Sequence, residues 1–202
     1  MTVLKYDEQA LKQQLSAMPE RSIVAFALCC STRQLNAFEA YADKFLPEKR
    51  EAARHIVESL WATIIFGENT PVMWSEQLAI VEETYPDEQD HWAPFHVYGG
   101  NALSSLIYTI RSLLASADVQ EAAWAARIAY ESADQAALRS LDKMRGSPEI
   151  EQLVVASDIV QRELHRQSDD LQSLAIDDPG VILHLKSLAM ESRVLTLDEM
   201  LV

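Results

Sequence analysis

Glycine and proline are scarce in this chain, five and seven among 202 residues, and cysteine occurs only twice. So few turn formers argue against a fold built on many tight β turns and favour long helices. The two cysteines, Cys29 and Cys30, are adjacent within an apolar run. Neighbouring residues on a helix point about 100° apart, so these two do not bridge. The expectation is a reduced, buried pair in a cytoplasmic protein. Basic residues are also in deficit, with 17 Lys and Arg against 31 Asp and Glu and a formal net charge of −14. That field repels a phosphate backbone, which argues against nucleic acid as a partner. The longest fully apolar run, residues 23–30, is far too short to cross a bilayer, so no membrane association is expected. The first eight residues show no basic start followed by an apolar stretch, and no signal peptide is expected.

What the chain has instead is helical periodicity. Residues 95–115 place Leu103, Leu106, Ile107, Ile110, Leu113 and Leu114 at i, i+3, i+4, i+7 spacing, with Arg111 the only formal charge. This segment reads as the central helix of a bundle, and Gly99–Gly100 near its start admits close approach by a neighbour. Upstream, Leu4, Leu11, Leu15 and Met18 form one seam ended by Pro19. A second helix opens there, apolar nearly all round from Ser22 to Cys30, and continues with a kink near Ser31–Thr32 through Leu35, Phe38, Tyr41 and Phe45. Pro47 opens a third, with Ala53, Ile56, Val57, Leu60, Ile64 and Ile65 facing in, and Gly67 ends it in a left-handed turn.

Thr70–Pro71 starts a fourth helix along Trp74, Leu78, Val81 and Tyr85. Asp118 and Glu121 cap an alanine-rich helix carrying Ala122, Ala126, Ala129, Ala133 and Ala137. Ser147–Pro148 opens a long helix through Ile150, Val154, Val160, Leu164, Leu171 and Leu174. An amphipathic tail segment, residues 182–190, docks back on the bundle. No repeat or Gly/Ser linker divides the chain. The fold expected is all-α, a single domain over residues 1–202 with seven to eight helices in a bundle. Phe26, Leu60, Leu106, Ile110 and Val154 are expected in its core.

Chemistry is thinly marked. The one Glu-x-x-His, Glu88 to His91, falls in a Pro-bounded stretch and has no second copy, so it does not build a carboxylate-bridged di-metal site. Glu51, His55 and Glu58 read as a solvated helix face, and Asp169–Asp170 and Asp177–Asp178 as solvated helix-end acids. No phosphate-cradling glycine pattern is present, and an apolar setting makes Cys30 inert as a nucleophile. No catalytic, cofactor-binding or metal-binding residue is assigned. The expectation is a protein that is not an enzyme and needs no cofactor.

The informative stretch is residues 82–92, Glu-Glu-Thr-Tyr-Pro-Asp-Glu-Gln-Asp-His-Trp, whose acids have no base among them. Glu82, Glu83, Asp87, Glu88 and Asp90 supply charge, and Tyr85 and Trp92 supply aromatic anchors. That combination suits recognition of a basic protein surface.

Residues 21–29 (Arg-Ser-Ile-Val-Ala-Phe-Ala-Leu-Cys), 56–61 (Ile-Val-Glu-Ser-Leu-Trp) and 77–86 (Gln-Leu-Ala-Ile-Val-Glu-Glu-Thr-Tyr-Pro) carry a resemblance. So does the small-residue helix that follows Val97–Tyr98. Together they resemble the YjaG-like family of bacterial all-α proteins, domain-of-unknown-function family 416. The likeness covers roughly residues 19–175, leaving 176–202 as a tail, and residues 31–36 depart from the pattern. The resemblance implies a helical fold and a bacterial cytoplasm, with no catalytic residues to carry over. The function expected is a non-enzymatic protein-binding protein, most concretely an immunity-type inhibitor that neutralises a bacterial toxin through an acidic surface. The alternative is a regulatory or scaffolding protein of bacterial signalling, with homodimerisation left open.

Overall fold

The structure, a computed structural model, describes residues 3–67, 71–86, 94–141 and 149–201, the side chains of residues 71 and 72 excepted. Among these residues there are eleven α-helices and no strand. They are α1 (Glu8–Ser16), α2 (Glu20–Thr32), α3 (Leu35–Phe45), α4 (Arg50–Phe66), α5 (Pro71–Glu83), α6 (Pro94–Leu114), α7 (Val119–Ser140), α8 (Ile150–Val155), α9 (Asp158–Leu174), α10 (Pro179–Glu191) and α11 (Leu197–Leu201).

The all-α expectation holds, and the number of helices expected was too low. Two apparent single helices are each two. The run through Phe45 breaks into α2 and α3 at Arg33–Gln34. The run through Leu174 breaks into α8 and α9 at Ala156–Ser157, where Ser157 accepts a hydrogen bond from the Val160 N–H as an N-cap. Periodicity persists across both breaks because each new helix keeps an apolar face toward the same core. Residues 192–201 add α11, whose start is a reciprocal cap between Thr196 and Glu199.

The central segment is central in the structure. α6 packs against α7, α3, α2 and α5, and Leu103, Leu106 and Ile110 are buried. Gly99 is required at its crossing with α3, because a Cβ there would meet Tyr41 Cβ at 2.6 Å. In α2 every residue from Ser22 to Thr32 is buried, since α4, α6, α7, α9 and α10 all rest on it. The alanines of α7 do what their size permits: Ala122, Ala126, Ala129, Ala133 and Ala137 are fully buried, and α6 lies close along them. Phe26, Leu60 and Val154 are buried as well.

The ends of elements follow local chemistry. Asp7, Asp118 and Asp178 cap α1, α7 and α10 through their carboxylates. Gly67 ends α4 at φ 77°. The end of α6 is less ordinary, because Ser116 and Ala117 take left-handed backbone at φ 55° and 65°. The Ala117 and Asp118 N–H groups both donate to the Ser112 carbonyl, which holds that turn. The starts expected at Thr70 and at Ser147–Pro148 lie outside the described residues.

Replacing Leu106 with Ala removes a side chain on the most connected helix. Urea denaturation should show a loss of about 2–5 kcal/mol, the sum of transfer and cavity terms.

Candidate functional site

Of the residues expected to bind a partner, Asp87, Glu88, Asp90 and Trp92 lie outside the described residues, and Glu82, Glu83 and Tyr85 lie within them. Glu82 and Glu83 form the exposed last turn of α5. Helix carbonyls already make that end negative, so two carboxylates there oppose the dipole rather than complement it. Glu82 is offset by Arg111 of α6, whose Nη2 donates to Oε1 at 2.7 Å. Glu83 has no ion-pair partner among the described residues. Tyr85 follows, 41% exposed, its hydroxyl lying over the Gly100 backbone and accepting from Ser104 Oγ. The helix thus presents two acids and an aromatic edge on a rigid support.

A second cluster of charge is wholly internal and was not anticipated. Arg33, at the α2–α3 break, is 2% exposed. Its Nε and Nη2 donate to Glu163 at 3.2 and 3.0 Å, and its Nη1 donates to Asp170 at 2.6 Å. Cys30 Sγ accepts from Nη2 at 3.6 Å. Gln167, between the two acids on α9, donates to Glu163 and to the Ala126 carbonyl of α7.

Burial works against the charge on Arg33, but Glu163 and Asp170 outweigh it and hold the guanidinium pKa well above its ordinary value. Burial raises the Asp170 carboxyl, with Arg33 pulling the other way. Burial also pushes both the Cys29 and Cys30 thiols well up, so neither is a ready nucleophile. Asp170 was expected in solvent, and the structure corrects that. The face of α9 made by Val160, Glu163, Leu164, Gln167, Asp170, Leu171 and Leu174 is buried as one stripe. Two acids at apolar positions of that stripe were the available signal, because buried carboxylates require a cation.

A strap closes over this cluster. In residues 192–196, the Val194 N–H donates to the Arg33 carbonyl, and Asn36 Nδ2 donates to the Leu195 carbonyl. Arg162 and Arg166 of α9 donate to the Val194 and Arg193 carbonyls. The other acids set aside on sequence grounds are in ordinary roles. Glu51 pairs with Arg50, Glu58 with Lys186, and Asp177 with Arg21. His96 is buried between Tyr41 and Phe45, 5.5 and 4.2 Å between ring centroids. Glu88 and His91 lie outside the described residues. Among the described residues no group of three or more His, Cys, Asp or Glu is placed to hold a metal, and no helix is long and apolar enough to cross a membrane.

The family model for proteins of unknown function DUF416 matches residues 10–195. The chain belongs to the DUF416 family. A crystal structure of a DUF416 family protein from Shewanella baltica OS155 superposes on it with a TM-score of 0.74, at 12% sequence identity, over 93% of this chain and 95% of that one. At that identity the likeness is one of fold. No curated protein matches the sequence. The DUF416 match runs past residue 175 and takes in α10 and most of the strap, which the sequence resemblance had left as a tail.

Arg33→Ala leaves two buried carboxylates uncompensated and should cost about 3–5 kcal/mol in chemical denaturation. Asp170→Asn should cost less, about 1–2 kcal/mol, since it keeps a polar group beside Arg33. Its sign with pH is distinctive. A raised folded-state pKa means that the folded chain holds the proton more tightly than the unfolded one. The stability drawn from Asp170 is therefore present below that window and declines as pH rises through it. The loss in Asp170→Asn should accordingly narrow as pH rises from the acid side, measured as paired melting curves.

Proposed function

We propose that this DUF416 protein is a non-enzymatic protein-binding protein of the immunity type, which covers a basic toxin surface with the acidic end of α5 and the acid run that follows it in sequence. The observation that supports this reading most is the placement of Glu82 and Glu83 in the last turn of α5. Acids there work against the helix dipole, and an arrangement that costs local stability is expected where function asks for it. The net charge of −14 extends the same field over the whole molecule and speeds encounter with a cationic partner. Tyr85, half exposed beside those acids, offers the aromatic anchor that such contacts use.

The first test is whether a basic toxin domain is encoded beside its gene; association with that domain is then followed by stopped flow at low and high salt. Glu82→Gln with Glu83→Gln should slow association about two- to tenfold and flatten its salt dependence, with the melting temperature maintained or raised. Unchanged rates in that variant, with a tight complex still formed, would move the interface elsewhere. Failure of the chain to protect cells from the toxin would remove the inhibitor reading.

A further inference from the structure

We propose that the groove between α4 and α5 receives an amphipathic helix with basic flanks from a protein partner. This rests on the reading that the partner is basic, and it adds the partner's shape and a second contact surface. The helices α4 and α5 follow one another in sequence yet make little direct contact. α4 packs on α2 and α3, whereas α5 packs on α6. Between them lies an open cavity of about 250 Å³. Ile56 and Ser59 of α4 face Met73, Gln77 and Ile80 of α5 across it. The three α5 positions stand at i, i+4 and i+7, so one wall of the groove is a single helix face.

The chemistry of the groove favours such an occupant over a small molecule. Its volume is below the roughly 300–1,000 Å³ of ligand sites and suits one or two anchoring side chains. Its rim leaves apolar surface in water, with Met73 36% and Ile80 38% exposed. Trp74 lines it too, buried, with an indole N–H that has no acceptor among the described residues.

Charge selects the partner. Ile80 is flanked at i−4 and i+3 by Glu76 and Glu83, both exposed and neither with an ion-pair partner among the described residues. The described residues of α5 include no base. On α4, Arg50 is taken by Asp43 and Glu51, and Arg54 by Glu39. An apolar slot beside unpaired acids fits a helix with leucine-like residues on one face and Lys or Arg at its edges.

The experiment titrates the full chain with a fluorescein-labelled Leu/Lys amphipathic peptide of about four turns. A scrambled peptide of the same composition and a Leu/Gln helix of the same pattern serve as comparisons. Binding is read by anisotropy and mapped by amide chemical shifts. The Leu/Lys helix should bind at least about tenfold more tightly than either comparison, with shifts centred on α4 and α5. Ser59→Trp, an exposed position that fills the groove, should weaken it at least about tenfold, whereas Ser173→Trp on α9 should not. Melting curves confirm that both variants fold. If the scrambled peptide binds equally well and shifts stay at Glu82–Tyr85, the groove proposal falls while the acidic reading stands. If the Leu/Gln helix binds as tightly as the Leu/Lys helix, the groove stands and the basic-partner reading fails. Should the chain alone dimerise in sedimentation and become monomeric as Ser59→Trp, the occupant is a second copy and the proposal is overturned.

Discussion

The fold depends on one buried cation. Arg33 interrupts the most enclosed helical run in the molecule, and a guanidinium there is tolerable only because α9 brings Glu163 and Asp170 to it. Several polar groups around the break bond across to other helices. Thr32 accepts from the Trp61 indole of α4, Ser31 pairs with Thr109 of α6, and Gln34 accepts from Ser132 of α7. Five helices therefore meet at a polar joint whose hydrogen bonds are directional. Apolar packing alone would let α2 and α3 slide along their neighbours, and this joint fixes their register.

Charge has two separate jobs in this chain. Inside, it ties the α2–α3 break to α9 by pairing one guanidinium with two carboxylates. Outside, acids are left in excess, and at the end of α5 they stand against the local dipole. A carboxylate that contributes to packing is found with a partner, as Glu163 is. A carboxylate kept in water with no ion-pair partner among the described residues, as Glu76 and Glu83 are, is available to something else. Our functional reading rests on that contrast, together with the slot that opens between α4 and α5 beside the same acids.

Much of the fold was legible in sequence because burial writes itself as period 3.6. α6, α2 and the alanine face of α7 were readable residue by residue, since each keeps its apolar stripe unbroken. The break at Arg33–Gln34 was half legible, as the kink expected near Ser31–Thr32; the one at Ala156–Ser157 was not, because a change of helix direction need not change which residues are apolar. Ser157 before Asp158 was a cap signal, overshadowed by the longer pattern around it. The buried triad was half legible: Glu163 and Asp170 sit on the apolar stripe of α9, but their partner is 130 and 137 residues away in sequence. The left-handed pair Ser116–Ala117 left no trace, as neither residue is a usual occupant of that backbone. Of the candidate site, the acids and Tyr85 were visible as composition. The groove was not, because it is made by two helices that are neighbours in sequence yet make little direct contact.

The most direct test of this account is a double-mutant cycle on the joint, with the stability of Arg33→Met measured in the native background and in one carrying Glu163→Gln and Asp170→Asn. If the triad is what Arg33 serves, the substitution should be costly in the first and nearly neutral in the second, a coupling of about 2 kcal/mol or more. Equal costs in the two backgrounds would show that Arg33 acts through packing alone and that the buried charges do not hold the fold.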